Sequence, residues 1–108
     1  MAFPVEIVAR DLNLTTEVEQ QIRDKVEKLG RFHSRITGCR VVVESPHRHQ
    51  HKGNLFHLRI HVTVPGEELV VDREPGKREA HEELMVAVRD AFDAASRQLK
   101  DYVARRRA

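Results

Sequence analysis

Residues 55–71 read Leu55-Phe56-His57-Leu58-Arg59-Ile60-His61-Val62-Thr63-Val64-Pro65-Gly66-Glu67-Glu68-Leu69-Val70-Val71, and this stretch decides the fold. Phe56, Leu58, Ile60, Val62 and Val64 take every second place, with Leu55, His57, Arg59, His61 and Thr63 between them. Side chains alternate sides along an extended chain, so this period predicts a strand with one apolar and one more polar face. Pro65-Gly66 is a turn signal, and Leu69-Val70-Val71 begins a strand folded back on the first. A hairpin with one apolar face needs a second layer to cover it.

The covering layer is legible on both sides of the hairpin. Upstream, Val18, Ile22, Val26 and Leu29 recur at steps of four and three, an apolar stripe on a helix of about four turns. Thr15 or Thr16 serves as its N-cap, Thr16 to Glu19 has capping-box spacing, and Gly30 is expected to end it with Phe32 packing back underneath. Downstream, Leu84, Val88, Ala91, Phe92, Ala95, Leu99 and Tyr102 form the stripe of a second helix from about His81 to Ala104. Two further strands complete the set. Val5, Ile7 and Ala9 alternate with Glu6, Val8 and Arg10; Cys39, Val41 and Val43 alternate with Arg40, Val42 and Glu44. Ser45 to Asn54 is a polar loop.

The order is β-α-β-β-β-α. A right-handed crossover makes the first two strands parallel, and hairpins make the others antiparallel. The predicted fold is two-layer α+β: a four-stranded mixed sheet with both helices on one face and His57, Arg59 and His61 on the open face. The chain of 108 residues is the right length for a single domain, 1–108, and too short for two independent cores.

Charge narrows the function classes. The formal net charge of +2 conceals a division along the chain. Arg31 to Gly53 holds five basic residues against one acid, and Arg97 to Ala108 another five against one. Pro65 to Glu83 holds seven acids against three bases. A polarised basic surface suits an anionic polymer. Lys25 and Lys28 share a face of the first helix, and Arg31 extends that edge. Arg89, Arg97 and Lys100 line an exposed side of the second, prolonged by Arg105, Arg106 and Arg107. Side by side, these rows form a channel spaced for phosphates, with Arg48 and Lys52 reaching in from the polar loop. The bland alternative is an ordinary solvated face with i,i+4 partners, since the first helix carries four acids against Arg23, Lys25, Lys28 and Arg31.

The other chemistry is thin. His47, His49 and His51 alternate in the polar loop, and His57 and His61 share a strand face; imidazoles bind zinc or nickel, yet no second cysteine or HExxH accompanies them. No metal and no cofactor is expected. The lone Cys39 points inward as a small core residue, not a nucleophile. Gly-rich phosphate loops, Gly-x-Ser-x-Gly elbows and paired inward carboxylates are missing from the sequence, so no enzyme is expected. No segment approaches the ~20 apolar residues of a membrane span and no leader is evident, which makes the cytoplasm the expected address.

Several pieces together resemble the bacterial ribosome hibernation-promoting factors and ribosome-associated translation inhibitors, in their short form. They are Leu14-Thr15, Lys25-Val26-Glu27-Lys28-Leu29, Cys39 to Glu44, Val86-Ala87-Val88 with Phe92-Asp93, and Arg97-Gln98-Leu99. The resemblance implies a fold similar to a double-stranded RNA-binding domain. It also implies binding to the small ribosomal subunit and its ribosomal RNA across the mRNA channel and tRNA sites, silencing translation sterically in stress. Lys25, Lys28 and Arg97 sit within matching motifs; Arg89 and Lys100 follow from helix geometry. Met85 and Glu83 stand where relatives usually carry Tyr and Asp, and the histidine-rich loop is unusual. The chain ends at Ala108, without the C-terminal domain that pairs ribosomes in long relatives, so pairing would require a separate dimerising factor. Two other readings stay open: a general RNA-binding module without ribosomal preference, and a metal-binding protein built on the histidines.

Overall fold

The computed structural model describes residues 3–45, 56–73 and 80–107. The elements are β1 (Val5–Arg10), α1 (Thr16–Phe32), β2 (Gly38–Glu44), β3 (His57–Val64), β4 (Glu67–Arg73) and α2 (Ala80–Arg107). They form a four-stranded sheet in the order β1-β2-β3-β4, with β1 parallel to β2 and the other neighbours antiparallel. This is the α+β arrangement the alternation and the crossover rule predict.

The register sorts side chains by face. Val5, Cys39, Val62 and Leu69 form one inward row, and Ile7, Val41, Ile60 and Val71 the next. Against them pack Val18, Ile22, Val26 and Leu29 of α1 and Leu84, Val88, Ala91, Phe92, Ala95, Leu99 and Tyr102 of α2, all buried in one core. The helices run side by side in the same direction. Gln21 donates to the Met85 carbonyl at one end, and His33 meets Ser96 at the other. Parallel alignment follows from the topology, because each helix enters after a strand end on the same side of the sheet.

The hairpin closes with Val64 opposite Glu67, leaving Pro65 and Gly66 as the two-residue loop. Gly66 has φ +88°, the left-handed region a type II turn needs after proline. Tyr102, buried at the far end of α2, donates its hydroxyl to the Pro65 carbonyl at 2.7 Å. Arg106 donates to the same carbonyl at 3.0 Å and lies over the Tyr102 ring. Helix and hairpin are thereby fastened at one corner.

Three local expectations change. Thr15 is the N-cap and accepts from the Val18 backbone, so the Thr16–Glu19 capping box does not form; Glu19 instead pairs with Arg23. Gly30 does not end α1, which runs to Phe32 with His33 as C-cap, because nothing there demands a left-handed residue. Phe32 is 68% exposed and does not pack underneath; Ile36, 6% exposed, fills that end of the core instead. On the open face, Val42 is buried despite pointing outward, since Val8 and Arg59 flank it in the same row and arginine methylenes cover apolar neighbours. The polar loop beyond Ser45, with His47, Arg48, His49, His51 and Lys52, lies outside the described residues.

Candidate RNA interface

Each of the molecule's two faces carries cations, and their partners separate them. On the open sheet face the strand register brings opposite charges together. Arg40 lies 3.4 Å from Glu6, Arg10 and Arg59 both lie 3.7 Å from Glu44, and His61 lies 3.4 Å from Glu68. His57 pairs with Asp72. Each exposed pair contributes little stability, about 0–1 kcal/mol. Together they neutralise the face, so it offers little to an anion. The two strand histidines are taken up by carboxylates, and no group of three metal-ligating side chains occurs among the described residues.

The helix layer is different. On α1, Arg23 is held by Glu19 and Asp24 accepts from Gln20, both through i,i+4 contacts. Lys25 and Lys28 have no ion partner among the described residues, and neither do Arg97 and Lys100 on α2. The i,i+4 pairing of an ordinary solvated face thus holds for Arg23 and Asp24 but does not extend, among the described residues, to Lys25 and Lys28. Lys25 and Lys28 line a groove of about 180 Å³ between the helices, together with Leu29, Phe32, His33, Phe92, Asp93 and Ser96.

His33 at the groove's end shares a 3.3 Å hydrogen bond with Ser96. Its pKa is lowered, chiefly by burial and further by the positive charge of Lys100, which places Lys100 beside the same end. Lowering means the unfolded chain takes up a proton at His33 before the folded one does. Folding stability should therefore fall as pH drops below about 6.5, the unfolded value, towards the lowered folded value. Thermal melts of wild type and His33→Asn across pH 7.5 to 5 should show the wild type losing stability relative to the variant; parallel curves would remove His33 from the account.

The remaining basic residues are dispersed. Arg31 turns to another hollow of about 350 Å³, lined by Phe3, Glu27, Gly30, His33, Ser34 and Ile36. Arg31 is not among the residues that line the Lys25–Lys28 groove. Arg89 is exposed and lies against its neighbour Asp90. Arg105 pairs with Glu67 at 3.2 Å, and Arg106 is bound to the hairpin turn, so both belong to the hairpin side. The row expected to prolong Arg97 and Lys100 divides at this point because β4 offers the Glu67 carboxylate and the hairpin turn the Pro65 carbonyl. Arg48 and Lys52 lie outside the described residues. The sequence assigns no site role to Phe32, His33, Asp93 or Ser96: none lies on an apolar stripe, and only the side-by-side helices bring them together.

Cys39 is buried and its thiol is pushed up to about 12 by desolvation, which keeps it protonated and unreactive at neutral pH. Among the described residues no helix is long and apolar enough to cross a membrane.

Comparison with solved structures finds the same fold in proteins of low sequence identity. The N-terminal domain of Protein Y from Thermus thermophilus is 21% identical, with a TM-score of 0.67 over 90% of this chain and 94% of that one. A ribosomal subunit interface protein from Coxiella burnetii is 11% identical, with a TM-score of 0.73 over 94% of this chain and 99% of that one. Curated protein sequences return no match. The sequence profile described as "Sigma 54 modulation protein / S30EA ribosomal protein" matches residues 5–107, nearly the whole chain. With that match spanning both helices and all four strands, the chain belongs to the Sigma 54 modulation protein / S30EA ribosomal protein family.

Proposed function

We propose that this protein binds the small ribosomal subunit through ribosomal RNA, occupies the mRNA and tRNA channel there, and silences translation by promoting ribosome hibernation. Membership of a ribosome-associated family supports the partner. The observation that carries the surface is the contrast between the faces: cations neutralised on the sheet, and Lys25, Lys28, Arg97 and Lys100 without an ion partner among the described residues on the helices. Lysines at such a surface act as point charges towards phosphates and position the protein without reading sequence. The action is steric and needs no chemical step. Ribosomes held in this way cannot take mRNA or tRNA.

Sedimentation of the protein with ribosomes on sucrose gradients at two salt concentrations tests the reading. About six phosphate contacts give a log–log slope of affinity against salt of roughly −4 to −6. Co-migration at low salt that weakens steeply at high salt is the expected result, and the peak it travels with shows whether ribosomes are single or paired. Equal affinity for an arbitrary RNA duplex would favour a general RNA-binding module instead. Absence of co-migration at low salt would remove the ribosome as partner.

A further inference from the structure

Among the described residues only Phe32, Val70 and Val86 are large hydrophobic side chains left exposed, and Phe32 is the most exposed at 68%. The three sit on different elements, the last turn of α1, strand β4 and the early part of α2. Phe32 is surrounded by charge. It lines the interhelical groove with Lys25, Lys28 and His33, and Lys100 stands close enough to His33 to lower its pKa. Lysine is depleted at protein–protein contacts, whereas an exposed aromatic ring beside lysines is the pattern of single-stranded nucleic-acid binding.

The groove also separates the parts of a nucleotide. Asp93 lines the α2 wall opposite Lys25 and Lys28. A phosphate set deep in the groove would be repelled by that carboxylate, so phosphates belong on the lysine rim. A nucleobase carries no charge and can enter, stacking on Phe32, with Asp93 and Ser96 at its edge. Resting on the RNA-binding reading above, we infer that Phe32 is a stacking platform for one unpaired nucleobase of the bound RNA, flanked by phosphates on Lys25 and Lys28. Sequence-independent charge then gives the protein its attraction to RNA, and Phe32 gives it a preference for a site where a base is already out of the duplex. Duplex RNA, whose bases are stacked inside, cannot satisfy it.

The chain contains no tryptophan, so Phe32→Trp introduces a single tryptophan, excited selectively over Tyr102, at the platform. Titration of this variant with a short single-stranded RNA should quench its fluorescence, while an RNA of the same length made of abasic nucleotides should bind with little quenching. With small ribosomal subunits, Phe32→Ala should weaken binding roughly 5- to 150-fold, the range of about 1–3 kcal/mol for base stacking. It should leave the salt slope unchanged, because stacking releases no counterions; Lys28→Ala should instead reduce the slope by about one. Phe32→Tyr should retain affinity. A Phe32→Ala variant that binds subunits as tightly as wild type overturns the inference while leaving the ribosome-binding reading intact. A variant that loses subunit affinity without base-dependent quenching overturns it in favour of a protein contact at Phe32. Loss of wild-type co-sedimentation instead strikes the ribosome reading, and the quenching titration still decides the platform.

Discussion

Replacing Lys25 and Lys28 together by glutamate should abolish co-sedimentation with ribosomes while the domain stays folded. Both side chains line the interhelical groove, Lys25 half-buried and Lys28 exposed, and neither is engaged by an acid among the described residues. Removing two phosphate contacts lowers the salt slope by roughly two. Reversing both charges adds repulsion, so the affinity loss at physiological salt should be on the order of 10²-fold or more. The folding cost is small by comparison. A glutamate at position 28 lies four residues from Asp24, and both new acids sit in the half of α1 where the helix dipole disfavours negative charge. Each effect costs about 0.2–1 kcal/mol. Circular dichroism should show native helix content and a melting temperature a few degrees lower at most. A folded double variant that still travels with ribosomes would move the interface off this groove.

Leu99→Ala should do the reverse, lowering stability sharply without touching a surface charge. Leu99 is fully buried on α2, within the core that joins the helices to the sheet. Truncating a buried leucine costs about 2–5 kcal/mol through lost burial and the cavity left behind. A domain of this size has about 5–15 kcal/mol in total. At roughly 4–8 °C per kcal/mol, the melting temperature should fall by 10 °C or more. Ribosome binding below the new melting point should be retained, because the truncation removes none of the charges that line the groove. A drop of only a degree or two would mean that α2 is not seated on the sheet as described. Measured side by side, the two variants separate the surface that binds from the core that holds it.

The sheet and its covering helices were legible because each rests on a local period. Alternation through Phe56 to Val64, a Pro-Gly turn and apolar steps of three and four are properties of neighbours in the chain, as is a handed crossover. Errors there were also local and small. Thr15, one of the two candidates, is the N-cap, so the Thr16–Glu19 capping box did not form, and α1 ran two residues past Gly30. Lys25 and Lys28 could be placed on one face by spacing alone.

What those lysines face could not be read from the chain, since it depends on contacts between residues more than sixty apart, such as Gln21 with Met85 and His33 with Ser96. The same holds for which cations remain free. A basic residue is neutralised by whatever acid the packed elements bring within reach, and β4 takes Arg105 while Glu44 takes Arg10 and Arg59. Arg31 lines another hollow, and Phe32 stays at the surface because Ile36 fills the core end that Phe32 would have used. Sequence by itself determined the order of elements and the side of each that is apolar, because those follow from backbone periodicity. Only the tertiary structure decided which charges are left over and what ring stands among them, because that is settled by distances across the packed layer.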